Sequence, residues 1–126
     1  MKKDTFKKLI RDSQEKDLTR VLPRAQAIPT GTGKIVSLIG VRRSGKTFQL
    51  FSSIKALRTV EAPDRIVYIN FDDDRIFPVR SGDLSDLLDA YYELYPANRD
   101  KRVYFFFDEV QVAEGWERFL RRLSDT

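Results

Sequence analysis

The segment Gly40-Val41-Arg42-Arg43-Ser44-Gly45-Lys46-Thr47 constrains this chain more than any other. It matches G-x-x-x-x-G-K-[ST] in full, and it sits between two segments of opposite periodicity. Before it, Ile35-Val36-Ser37-Leu38-Ile39 is a short β-branched run that reads as a buried strand. After it, Phe48, Phe51, Ile54 and Leu57 recur at helical spacing from Lys46 to about Arg58. Such a strand–loop–helix unit suits a polyphosphate, which needs donors on several oxygens at once. Gly40 and Gly45 let the backbone turn sharply, so that consecutive N–H groups point inward as a nest. The start of the helix adds the positive end of its dipole.

The rest of the chain repeats the alternation. Arg65–Phe71 (RIVYINF) and Arg102–Phe107 (RVYFFF) read as strands, and the latter is too apolar throughout to be an exposed edge. Asp83 is expected to cap a helix whose inner face is Leu84, Leu87, Leu88, Tyr91 and Tyr95, stopped by Pro96. Trp116, Phe119, Leu120 and Leu123 give a final helix, with Trp116 expected in the core. Phe6, Leu9 and Ile10 predict an amphipathic helix from Asp4 to about Lys16. Pro23, Pro29, Gly31 and Gly33 mark an irregular lead-in to the first strand. The expected fold class is α/β, with a mostly parallel sheet and flanking helices.

Composition narrows the chemistry. The 126 residues fit one domain and contain no Cys and no His. Disulfides, thiolate sites and imidazole bases are excluded, which leaves proton transfer to carboxylates, Lys, Tyr or water. No stretch approaches ~20 apolar residues, so no membrane span is expected and the cytoplasm is the default location. The net charge of +4 sits entirely on the N-terminal arm: residues 1–24 hold eight basic and four acidic groups, and the remainder holds fifteen of each. A basic arm can touch nucleic acid. A solvated helix of mixed charge is the preferred reading, and strong DNA binding is not expected.

Within the loop, Lys46 is placed to reach the β- and γ-phosphates, and the Thr47 hydroxyl to bind Mg²⁺. The nucleotide site is expected to run from Gly40 through Val41, Arg42, Arg43, Ser44, Gly45, Lys46 and Thr47 to Phe48. The two arginines either approach phosphate or face solvent. At the end of the third strand, Asp108 is expected to hold Mg²⁺, through water, and Glu109 to orient or deprotonate the attacking water. Lys46 and Glu109 are thus the candidate catalytic groups. Asp72-Asp73-Asp74 either adds to a metal site or is a solvated turn, the latter preferred. Gln111 either bonds Glu109 or a phosphate-bound water, or is a plain loop amide.

GVRRSGKT, RIVYINFDDDRIF, YFFFDEVQ and GWERFLRRL together resemble bacterial and archaeal AAA+-type ATPases. In these a P-loop domain is joined to a C-terminal domain of uncharacterised function. The likeness runs over essentially all of the chain, including Leu22-Pro23-Arg24. It implies a P-loop NTPase core, ATP and Mg²⁺ as ligands, Lys46 and Thr47 on phosphate and metal, Asp108 as the metal-side acid and Glu109 as the base. Val110 stands where Ile is common. The resemblance further implies that residues 1–24 are a basic helical arm and 25–126 the N-terminal part of an ATPase domain. A sensor strand would follow Thr126 and lie between the first and third strands. On that basis the two strands would each lose a neighbour; self-association or looseness is the favoured outcome, and direct pairing of the two strands, which would require the covering helices to repack, is the alternative. The leading function is an ATPase module. The alternative is an ATP-binding switch with little turnover. A helicase would need later motifs, and no N-K-x-D guanine-reading motif is present.

Overall fold

The computed structural model describes residues 2–19, 21, 34–39 and 46–124; of Lys46, Thr47 and Phe48 only the backbone is described. The elements run α1 (Lys3–Glu15), β1 (Ile35–Ile39), α2 (Lys46–Leu57), β2 (Ile66–Asn70), α3 (Ser81–Leu94), β3 (Val103–Asp108) and α4 (Trp116–Ser124). The three strands form a parallel sheet in the order β1-β3-β2. The chain thus passes over β3 to reach β2 and then returns, which puts α2 and α3 on opposite faces of the sheet.

Side chains alternate along each strand and divide the core accordingly. Tyr104 and Phe106 of β3 join Ile66, Leu50, Ile54 and Leu57 on the α2 face. Val103, Phe105 and Phe107 join Val67, Ile69 and the inner residues of α1, α3 and α4 on the other. All six residues of β3 are buried, as a central strand covered on both faces requires. Trp116 is partly buried against the α3–α4 face, while Phe119 and Leu123 are fully inside. No helix among the described residues is long and apolar enough to cross a membrane.

The centre of the sheet departs from expectation. β1 and β3 pair directly, from Ile35↔Val103 to Ile39↔Phe107, with no gap between them. The unpaired edges expected there are absent, and self-association cannot rest on them. The physical reason is that a parallel ladder satisfies both backbones at once. The helices still cover both strands: Val36 and Leu38 pack on the α2 face, and α4 lies against β1 on the other. The start of α3 also differs. The helix begins at Ser81, so Asp83 is its third residue and not its cap. Its Oδ2 accepts the Arg80 backbone N–H at 2.9 Å.

α1 is built into this core through Phe6, Leu9 and Ile10. Its basic side chains meet the acidic side of α3. Lys3 and Lys7 both reach Glu93 at 2.8 Å, and Lys2 reaches Asp83 at 2.6 Å. Hydrogen bonds from Lys3 and then Lys7 pull the Glu93 carboxyl down to about 2. The far end of α1 closes the outer edge of β2, where Ser13 Oγ accepts the Tyr68 N–H at 3.2 Å. The Arg58 guanidinium, from just beyond α2, donates to the Lys16 and Ser13 carbonyls at 2.8 and 3.0 Å and so caps α1.

Candidate functional site

In an open parallel sheet, ligands bind outside the carboxyl ends of the strands, near the point where strand order reverses. Here that place lies beyond Ile39 and Asp108. The register sets Asp108 one residue past the partner of Ile39, at the same end of the sheet. The motif Gly40–Gly45 leaves β1 at this end, and its structure lies outside the described residues, Arg42 and Arg43 included. Lys46 opens α2, so the backbone of Lys46, Thr47 and Phe48 forms the first turn of that helix.

Asp108 is the last residue of β3 and is only 2% exposed. It points to the α2 side of the sheet. Its Oδ2 accepts the Tyr68 hydroxyl at 2.8 Å, and its Oδ1 accepts the Glu109 backbone N–H at 3.1 Å. A carboxylate offers about four lone-pair positions. These contacts help to fix its plane. Among the described residues no three acids gather into a metal cage. Mg²⁺ needs none, since it is commonly held by one or two carboxylates together with substrate phosphates and water. Asp108 therefore fits the outer side of a magnesium site.

Glu109 follows with φ +52°, in the left-handed region, where a non-glycine residue is uncommon. Such a conformation costs on the order of 1–3 kcal/mol and persists where the surroundings fix it. It turns the chain out of the strand into a 3-10 turn at Val110–Val112. Gln111 donates from Nε2 to Glu109 Oε1 at 2.6 Å. Of the alternatives open from sequence, Gln111 thus takes the bond to Glu109.

The acidic triplet after β2 has a different use. Asp73 receives the Arg75 guanidinium on both oxygens, at 3.0 and 2.9 Å, and Arg75 reaches on to Asp12 of α1 at 3.2 Å. Hydrogen bonding to Arg75 holds the Asp73 carboxyl below its ordinary value. Asp72 and Asp74 are exposed. Through Asp73 and Arg75 the triplet ties its turn to α1.

Tyr68 is the residue that sequence reasoning missed. It lies on β2, opposite Phe106 in register and diagonal to Asp108. Its ring packs on Phe51 of α2 with centroids 4.8 Å apart. Burial first, and then the Asp108 bond, push the phenol far above its usual range, so it stays a proton donor. A lone hydroxyl in the apolar run RIVYINF was the available signal.

The three-stranded parallel sheet flanked by four helices that the described residues form, with the glycine motif following β1, is the architecture of a P-loop NTPase-like core. The chain belongs to the AAA domain family, whose model matches residues 32–126. The family is one of nucleotide-binding, ATPase-like domains. An uncharacterized protein of Methanocaldococcus jannaschii is 33% identical over 126 residues, covering 99% of this chain and 26% of that protein. A second from the same organism is 29% identical over 74% of this chain and 19% of its own length. An uncharacterized protein of Haemophilus influenzae is 34% identical over 71% of this chain and 22% of its own. This chain thus spans about a fifth to a quarter of the length of the curated relatives it matches. No solved structure matches.

Proposed function

We propose that this chain holds Mg-ATP and forms the nucleotide-binding part of an ATPase. The observation that supports this most is the placement of Asp108 and Glu109 at the end of the strand paired with β1, from which the complete phosphate-loop motif departs. In this reading Gly40 to Phe48 wrap the phosphates, with Lys46 on the β/γ oxygens. Thr47 and Asp108 hold the Mg²⁺ side. When bound, the ion would neutralise charge on the phosphates. Glu109 takes the proton of the attacking water, because the chain has no imidazole or thiol for that task. A direct test is calorimetric titration of the chain with ATP, with Mg²⁺ and with EDTA. Saturable binding strengthened by Mg²⁺ is expected; no binding in either condition would overturn the reading.

A switch with little turnover is the second reading. Its support is the 2.6 Å bond from Gln111 to Glu109 Oε1. A base held this way has one oxygen engaged before any water arrives.

The basic arm is not read as a DNA site. Lys2, Lys3 and Lys7 already face acids of α3, and non-specific affinity scales with the phosphates a protein can neutralise. Duplex DNA at physiological salt is expected to bind far more weakly than nanomolar. Nanomolar binding, lost when Lys8 and Arg11 on the exposed side of α1 are changed to Glu, would refute this. Deleting α1 is not a usable control, since Phe6 and Ile10 are core residues.

A further inference from the structure

We propose that Tyr68 is a positioning residue for the metal-side carboxylate, setting the orientation in which Asp108 meets Mg²⁺. The proposal rests on the Mg-ATP reading above. Three features support it. The hydroxyl donates to Asp108 Oδ2 at 2.8 Å, the ordinary length of an O–H···O hydrogen bond. The ring is held from behind by Phe51, so the donor arrives already oriented. The backbone of Tyr68 is fixed as well, by pairing with β3 on one side and by Ser13 Oγ on the other.

The arrangement also joins separate elements. Phe51 belongs to the helix that begins at Lys46, and Lys16 Nζ, just past the end of α1, lies 5.1 Å from the Phe51 ring centroid. Tyr68 thus stands between the phosphate-loop helix and the carboxylate. Loss of a partner that orients a direct metal ligand typically costs about 10–100-fold in metal affinity; Asp108 acts on the ion through water, which puts Tyr68 at the low end of that range. Without the hydroxyl, the carboxylate loses a contact that helps to fix its plane.

Tyr68→Phe is the informative change. It removes the hydroxyl and keeps the ring against Phe51, whereas a small residue would open the cleft that Tyr68 lines with Leu9, Ser13 and Ile69. ATP is titrated calorimetrically into the wild-type chain, Tyr68→Phe, Asp108→Asn and the double variant, each with Mg²⁺ and with EDTA. Tyr68→Phe is expected to weaken ATP binding about tenfold in Mg²⁺ and to leave binding in EDTA unchanged. Added to Asp108→Asn it is expected to change nothing further, because the two act through one ligand. Equal Mg²⁺ dependence in Tyr68→Phe and wild type would overturn the proposal. Equal weakening in Mg²⁺ and EDTA would overturn it too, since it would mark a purely structural role. Failure of the Mg-ATP reading shows separately, as wild-type binding that Mg²⁺ does not strengthen, and it removes this proposal as well.

Discussion

Lys46→Ala is expected to lose most of the affinity for Mg-ATP, by about one to two orders of magnitude. Lys46 follows the last glycine of the motif and begins α2. A side chain at that position of a G-x-x-x-x-G-K-[ST] loop is the mobile cation of the site, and the backbone donors around it are neutral. Charge-assisted hydrogen bonds of this kind contribute about 1.5–3 kcal/mol, and each 1.4 kcal/mol is about tenfold in affinity. The fold should be indifferent to the change, because Ala is the better helix former. The measurement is a pair of titrations with Mg-ATP, with thermal unfolding of both proteins as a control. Equal affinity would remove the phosphate-loop assignment.

The sequence made the elements legible, though not their neighbours. Phe6, Leu9 and Ile10 on α1, and Phe119 and Leu123 on α4, are buried where helical spacing put them. Element bounds moved by a residue or two, and Asp83 shifted from cap to third position. The pairing of β1 with β3 was not legible, for a physical reason. Both strands are apolar on both faces, and that pattern says that a strand is buried without saying beside which partner. The same gap hid Tyr68, whose role depends on a diagonal contact across a register that no residue pattern specifies. The left-handed backbone of Glu109 left no trace either, because Gly or Asn is the usual sign of positive φ and neither stands there. Partners of the basic arm were hidden by distance: Lys3 and Lys7 meet an acid on a helix far along the chain.

The contacts of Glu109 make the second large effect specific. Glu109→Gln is expected to keep Mg-ATP binding and to lose turnover by about 10²–10⁴-fold, the usual worth of a general base. The test needs a protein long enough to hydrolyse ATP, because this chain matches only part of each relative. The amide keeps the size of the carboxylate, and its oxygen can still accept from Gln111 Nε2, now at 2.6 Å from Glu109 Oε1. The backbone N–H of residue 109, which donates to Asp108 Oδ1, is untouched. Metal-side geometry should therefore survive while the proton acceptor is gone. Asp108→Asn is expected to behave in the opposite way. It removes a buried negative charge and weakens Mg²⁺-dependent binding itself. If the acids have exchanged roles, the two variants will trade phenotypes. Rapid mixing that separates binding from the chemical step distinguishes the cases. Wild-type turnover in Glu109→Gln would show that the base lies elsewhere, and would leave water activation to the phosphate oxygens or to a residue of the longer protein.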